Sequence, residues 1–244
     1  MSNLPKRSQR LLEFPVTWSR LIAATAICAS TATTALADVT LRYKTTSQPV
    51  GSGTMDTTEY RKGLKLRMDI GPNDSQIIDA GAGRSVILFH ATKIAEVTVW
   101  KPGESLPNGS VPEDKPTYTP TPQTRQIAGS TCIVHNFTWL YRLPSAKMGP
   151  SIALMHGTMC LVKDPPGQAD FAAFYQATGN ISPVWPDPAI GVLFASEIAI
   201  DFKGDRPEAN VTASPNVVEL VSISTAPIPD SLFEIPADYK VVTR

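Results

Sequence analysis

Apolar residues recur at every second position along most of the chain after residue 37, which is the spacing of strands with one buried face. In the clearest hairpin, residues 54–60 turn at 61–63 into a second strand, where Leu64, Leu66, Met68 and Ile70 alternate with charged residues. The pattern therefore predicts a mainly β protein that begins as a meander of short antiparallel strands. We predict strands at 39–44, 54–60, 64–70, 77–78, 85–90, 94–100, 130–141, 152–162, 192–202 and 217–223.

One segment departs from the two-residue period. Between Gln168 and Thr178, three aromatic side chains and a threonine recur with the spacing of one helix face. The residues at positions i, i+3, i+4 and i+7 are Phe171, Phe174, Tyr175 and Thr178. Gly179 follows as a helix stop. The segment is therefore predicted to be an amphipathic helix that lays an aromatic stripe on the sheet.

A proline-rich segment separates the two halves of the strand pattern. Residues 101–123 contain six prolines, and each of them removes a backbone donor that a sheet would need. The half before this segment has no helix to cover its apolar face, so we expect the two halves to share one sheet system. The prediction is a long surface connection at 101–123 within a single domain at 38–244.

The first 37 residues have the pattern of a secretory signal. Four basic residues precede an uncharged stretch at 21–37 that ends in Ala35-Leu36-Ala37, a small-x-small cleavage sequence. The stretch is less apolar than a spanning helix of ~20 residues, and Cys28 lacks the small preceding residue of a lipoprotein signal. We therefore expect cleavage after Ala37, a periplasmic location and no transmembrane span in residues 38–244.

Removal of the signal peptide would leave two cysteines, Cys132 and Cys160, in an oxidising compartment, where an even pair predicts one disulfide. A metal site is the alternative, because Cys132 with His135 and His156 with Cys160 have zinc-like spacings. Both segments are predicted strands, in which residues 156 and 160 lie ~13 Å apart and residues 132 and 135 point to opposite faces. The disulfide is therefore favoured, with no metal.

Composition and motifs argue against two classes of function. The chain has 22 Lys and Arg against 22 Asp and Glu, so it has no excess of positive charge to bind nucleic acid. A nucleophile elbow, a phosphate-binding loop, a dinucleotide fingerprint and a metalloprotease motif are absent from the sequence. His90, His135 and His156 are isolated on predicted strands. We therefore expect no enzymatic activity, no cofactor and no nucleic-acid partner.

Five short segments carry strand and turn patterns in a distinctive order. They are Val39–Tyr43, Thr58–Met68, Ile127–Cys132, Gly157–Cys160 and Leu232–Pro236. In this order they resemble exported bacterial proteins that are catalogued as a domain of unknown function and are similar in architecture to the LolA and LolB lipoprotein carriers. The resemblance implies a strongly curved antiparallel sheet, an open half-barrel, whose concave apolar face is covered by helix.

Six aromatic residues are candidates for contact with a ligand. They are Phe137, Trp139 and Tyr141 on one predicted strand and Phe171, Phe174 and Tyr175 on the helix. They could line a pocket for a hydrophobic small molecule, or they could form an ordinary close-packed core.

The resemblance favours the pocket and implies a non-enzymatic periplasmic binding or carrier protein for a lipid or acyl chain. The alternative is a cell-envelope protein that takes no small ligand. Such a protein would bind a protein partner through an exposed sheet edge or through the connection at 101–123.

Overall fold

Strands make up most of the structure, a computed structural model, as the alternating pattern predicts. It describes residues 38–47, 53–101, 111–112, 115–143, 151–178, 186–203 and 211–243, all within one unit at residues 36–244. The predicted signal peptide at 1–37 lies outside the described residues. The strands are β1 (Val39–Ser47), β2 (Thr54–Lys62), β3 (Lys65–Ile70), β4 (Asp74–Asp79), β5 (Arg84–Phe89), β6 (Ile94–Val99), β7 (Val111–Pro112), β8 (Thr117–Ile127), β9 (Ser130–Leu143), β10 (Ser151–Val162), β11 (Val192–Lys203), β12 (Val211–Ser224) and β13 (Lys240–Thr243).

Within the described residues, these strands form one large, curved, open sheet that does not close into a barrel. Its order is β13-β6-β5-β4-β3-β2-β1-β12-β11-β10-β9-β7, and β8 also pairs with β9. Neighbouring strands are antiparallel except for β13, which runs parallel to β6. The first strand of the chain therefore lies in the interior of the sheet, between β2 and β12.

Two different segments cover the meander β2 to β6 on its opposite faces. Ile77 and Ile78 are adjacent on β4, so their side chains point to opposite faces. Ile78 packs in a cluster with Phe174 of helix α1 (Gln168–Thr178), whereas Ile77 packs in a cluster with Phe233. We call α1 the helix cover. We call residues 228–239, which include a 3₁₀ helix at Asp230–Phe233, the C-terminal cover.

The predicted disulfide is confirmed. Cys132 on β9 and Cys160 on β10 are bonded, with their Cα atoms 5.3 Å apart. The strand register places Cys160 opposite Val134, so the bond crosses diagonally between neighbouring strands. Neither sulfur is therefore a thiolate that could ligate a metal.

The prediction of an unbroken surface connection at 101–123 is wrong at its end. Strand β8 begins at Thr117, and Pro120 and Pro122 lie inside it with exposed side chains. The pairing of β8 with β9 is irregular between Pro120 and Thr124. Proline is tolerated at such an irregular edge because the missing N–H is not needed there.

Strand β13 is absent from the predicted elements. All four of its residues are exposed, so they have no alternating apolar face to identify them. The strand forms because the C-terminal cover brings the chain alongside β6, where the backbone N–H of Lys240 donates to the carbonyl of Lys93 at 2.8 Å.

Candidate functional site

A cavity of about 210 Å³ lies between the helix cover and the sheet. Its floor comes from β1, β2, β11 and β12, which are consecutive in space although they come from both ends of the chain. The apolar and aromatic residues that line it are Tyr43, Phe171, Phe174, Tyr175, Pro186, Pro188, Val192, Leu193 and Val218. Hydroxyl groups are also present in the wall, from Thr45, Thr57, Thr178 and Ser196. The cavity is therefore apolar in its walls but has several neutral hydrogen-bonding groups.

The helix presents to the sheet the face that its sequence predicts. Phe171, Phe174 and Thr178 are buried, and Tyr175 is half-buried at the side of the same face. The hydroxyl of Thr178 donates to the carbonyl of Phe174 at 2.8 Å, which satisfies a polar side chain in an apolar setting. At the other end, the side-chain amide of Gln168 donates to the carbonyl of Pro188 at 2.6 Å. The three helix aromatics of the predicted site are therefore brought together in one wall.

A buried ion pair forms part of the same wall. Glu59 and Arg61 are two residues apart on β2, so their side chains share one face, and they are 7% and 6% exposed. The Arg61 guanidinium donates to Glu59 Oε2 from Nη2 at 3.0 Å and from Nε at 3.2 Å. Its carbon Cζ lies 4.5 Å from the ring centre of Phe171 and 5.3 Å from that of Phe174. The helix cover thus rests on a guanidinium plane whose charge is balanced by Glu59.

The environment of Tyr43 shows that this wall is poorly solvated. Its hydroxyl donates to the carbonyl of Leu193 at 3.0 Å. Burial raises the pKa of the Tyr43 phenol well above its ordinary value, the charge of Glu59 raises it further, and Arg61 acts in the opposite direction. The phenol therefore stays neutral at physiological pH and remains a hydrogen-bond donor.

Two of the other predicted site residues, Phe137 and Trp139, do not line the cavity. They belong to a neighbouring cluster with Met155, Met159 and Leu161 on β9 and β10. Register places Met159 opposite Ser196, which lines the cavity, so this cluster and the cavity share one face of the sheet. The backbone of Tyr141 pairs with Ala153, but its side chain lies outside the described part of the structure. The five described aromatic residues of the predicted site are therefore divided between two places.

Sequence reasoning missed Glu59 and Arg61. The predicted turn at 61–63 assigns Arg61 to a loop, whereas β2 continues to Lys62 and the chain turns at Gly63, which has φ +55°. Register then places Arg61 opposite Leu66 and Glu59 opposite Met68. Because Leu66 and Met68 alternate on an apolar face, correct pairing of the hairpin would have shown that two charged residues point inward.

The three histidines take part in structural hydrogen bonds. His135 is buried and its Nδ1 lies 3.0 Å from the carbonyl oxygen of Ile133, while His156 Nε2 lies 3.1 Å from Asp201 Oδ2. His90 lies between Ser75 and Tyr239, with its Nε2 2.8 Å from Ser75 Oγ and its Nδ1 bonded to the Tyr239 hydroxyl.

Ser75 is not arranged as a nucleophile activated by His90. Its hydroxyl donates to Asp69 Oδ1 at 2.6 Å. Its single proton is therefore not shared with the ring, and His90 Nε2–H acts as the donor to Ser75. The hydrogen bonds of His90 with Ser75 and with Tyr239 therefore join the C-terminal cover to the sheet.

The described residues provide neither a metal site nor a membrane-spanning helix. No set of three or more His, Cys, Asp or Glu side chains there is placed to hold a metal ion. No helix in the described ranges has the length and apolar character needed to span a bilayer.

Comparison with known proteins gives weak likenesses. No protein-family model matches the chain, and no curated protein matches it. Among solved structures, PNGF-II in a C2 crystal form is similar with a TM-score of 0.40 and 10% identity, over 85% of this chain and 31% of that one. A LolA superfamily protein, NE2245 from Nitrosomonas europaea, is similar with a TM-score of 0.28 and 7% identity, over 82% of this chain and 90% of that one.

This chain thus spans about a third of the length of PNGF-II. Likenesses at these scores carry no argument about function. A LolA superfamily protein is a distant structural neighbour, and the family resemblance inferred from the motifs stays an expectation.

Proposed function

We propose that this protein is a non-enzymatic binding or carrier protein for a small hydrophobic molecule, which it holds between the helix cover and the sheet. The observation behind the proposal is the cavity itself, because a mostly apolar cleft with a few hydrogen-bonding groups is the usual form of a small-molecule site. Aromatic and aliphatic side chains form most of the wall, as is usual for small-molecule sites.

The cavity size limits the ligand. An apolar cavity of about 150 Å³ is large enough to hold benzene, and sites that enclose drug-sized ligands measure about 300–1,000 Å³. A cavity of about 210 Å³ lies between these, so it suits one medium-length chain rather than several long acyl chains. A larger lipid would require the helix cover to move.

We also propose that the protein acts in the periplasm after export. The basic and then uncharged pattern of residues 1–37 supports export, and the Cys132–Cys160 disulfide is typical of oxidising compartments. Intact-mass measurement of the protein from the cell envelope should give a chain that begins at Asp38. A chain that keeps residues 1–37 would contradict the proposal of cleavage.

The binding proposal is tested with 1-octanol and a pair of substitutions on β12. Val218 lines the cavity, so Val218→Phe would place a ring in the space that the ligand needs. Val221 is 59% exposed on the same strand and does not line the cavity, so Val221→Phe is the matched control. We expect calorimetry to show octanol binding to the unmodified protein and to Val221→Phe, and at least tenfold weaker binding to Val218→Phe.

Two results would contradict the proposal. One is an unmodified protein that binds no octanol and yields no small apolar molecule in an organic extract of the natively purified protein. The other is equal octanol binding by Val218→Phe and Val221→Phe, which would place the bound octanol elsewhere.

A further inference from the structure

We infer that the cavity selects an uncharged amphiphile, with one apolar chain and a hydroxyl, amide or ester head, against a fatty-acid anion of the same length. The inference rests on the proposed function, since it specifies the ligand of that site. It follows from the charges of the wall, which are already balanced before any ligand enters.

The first step concerns the charged residues at the cavity. Among the described residues that line it, Glu59 and Arg61 are the charged ones, and they form an ion pair with each other. Both are buried, so their interaction is weakly screened by water and a third charge beside them would be felt strongly. A ligand carboxylate would be attracted by Arg61 and repelled by Glu59, which lie together in the wall.

The second step concerns the faces of the guanidinium. The rings of Phe171 and Phe174 lie over Arg61, while Glu59 accepts from its Nε and Nη2. A carboxylate that approached the Nε–Nη2 edge in the usual two-bond geometry would have to displace Glu59, which would leave a buried carboxylate without its counter-charge. Such a displacement is strongly unfavourable, so the pair works against an anionic head group.

The neutral groups of the wall supply what an uncharged head requires. Thr45, Thr57 and Ser196 carry hydroxyls that can donate and accept, and Tyr43 keeps its proton and so presents an oxygen that is neutral. A ligand hydroxyl or amide can bond with such groups without bringing a charge out of water. Its desolvation cost is far lower than that of a carboxylate.

The test compares three ligands of one chain length: 1-octanol, octanoate and octylammonium, each titrated into the unmodified protein at pH 7.5. We expect octanol to bind at least tenfold more tightly than octanoate, and more tightly than octylammonium. Octanoate or octylammonium binding as tightly as octanol would overturn the inference while leaving the proposed binding site intact. Failure of all three to bind would instead contradict the proposed function.

Substitution of the pair gives a second arm. Glu59→Gln should remove the selection, because it takes away the carboxylate that repels octanoate and that occupies the Nε and Nη2 donors of Arg61. We expect octanoate affinity to rise at least tenfold relative to octanol. Glu219→Gln is the matched control, since Glu219 is exposed, pairs with Arg125 at 2.6 Å and does not line the cavity. An unchanged ligand ratio in folded Glu59→Gln would overturn the inference.

If Glu59→Gln does not fold, the double variant Glu59→Gln with Arg61→Gln replaces it. Removal of the pair should reduce the preference for octanol over octanoate that the unmodified protein shows. An unchanged preference would show that the pair is not its source, and so contradict the inference.

Discussion

The two covers of the meander show how one sheet can be closed in two different ways. The C-terminal cover is tied to strands by polar bonds and buries its side chains in a close-packed cluster. The helix cover packs its own aromatic rings against the Arg61 guanidinium and leaves a cavity beside it. The comparison indicates that the first cover serves stability, whereas the second can accommodate a ligand.

The hydrogen bonds that hold the C-terminal cover to the sheet are spread along its length. Lys62 Nζ donates to the carbonyl of Ile228 at 2.7 Å, and Arg67 Nη1 donates to the carbonyl of Leu232 at 2.9 Å. Tyr239 bonds to His90 near the end of the cover. Since these contacts hold backbone carbonyls directly to strands β2 and β3, we expect the C-terminal cover to open only when the sheet itself unfolds.

The largest expected effect distinguishes the two covers by a matched pair, Phe233→Ala and Phe174→Ala. Phe233 is 3% exposed in a close-packed cluster, so its loss should lower the free energy of unfolding by roughly 3–5 kcal/mol. Phe174 is equally buried but borders the cavity on one side, so we expect its loss to cost less, about 3 kcal/mol, at the lower end of that range. Urea unfolding measures both.

Octanol binding gives a second way to distinguish Phe174→Ala from Phe233→Ala. Phe174→Ala should change octanol affinity, whereas Phe233→Ala should leave it unchanged in the folded protein. Equal destabilisation by both substitutions, with unchanged octanol binding, would mean that Phe174 lies in an ordinary core and that the two covers do not differ in this way.

An intermediate effect is expected from loss of the side-chain hydrogen bonds that hold each cover in place. Arg67→Leu removes the guanidinium that bonds to the carbonyl of Leu232 and to the carboxylate of Asp69. Because the Asp69 carboxylate is partly exposed and water can replace its bond, we expect a total loss of about 1.5–3 kcal/mol. Gln168→Leu removes the bond to the Pro188 carbonyl, and a neutral hydrogen bond contributes only about 0.5–1.5 kcal/mol. Hydrogen exchange of the Leu232 and Glu234 amides should accelerate more in Arg67→Leu than in Gln168→Leu. Equal acceleration by the two substitutions would contradict the difference between the covers.

The smallest effect at neutral pH comes from two tyrosines, Tyr43 beneath the helix cover and Tyr239 at the end of the C-terminal cover. Tyr43→Phe and Tyr239→Phe each remove a hydroxyl hydrogen bond, so each should cost about 0.5–1.5 kcal/mol at pH 7.

The Tyr43 substitution should also change the alkaline response. In the unfolded chain a tyrosine releases its proton near pH 10, while the folded protein retains the proton of Tyr43 because its pKa is raised. The unfolded state then binds fewer protons, so stability falls as pH rises above about 10. Tyr43→Phe should flatten this fall in urea unfolding between pH 9 and 11, and an unchanged slope would contradict the buried, neutral phenol.

Local pattern identified most strands and the helix because burial of one face leaves a period in the sequence. The bounds of α1, Gln168–Thr178, agree with the predicted segment. Strand β13 and the first half of β8 left no such period, because their side chains are exposed and their positions depend on β6 and β9.

The candidate site was only half predictable for a related reason. Alternation says which residues share a face but not which strands become neighbours, so Phe137 and Trp139 had the same pattern as residues that line the cavity. The strand order that places β1 beside β12 depends on contacts far apart in sequence. Glu59 and Arg61 look like residues of a solvated face until that arrangement encloses them.

The position of β1 also has a consequence for the order of events when the chain folds. Leu41 pairs with Ile223 on one side and with Glu59 on the other. A strand from early in the chain therefore cannot complete its pairing until a strand from late in the chain is in place. Such non-local pairing slows folding, because the entropy of a long loop is lost before the contact is made. The two halves of the sheet are therefore expected to become stable together, and neither half should persist as a folded fragment while the other is still missing.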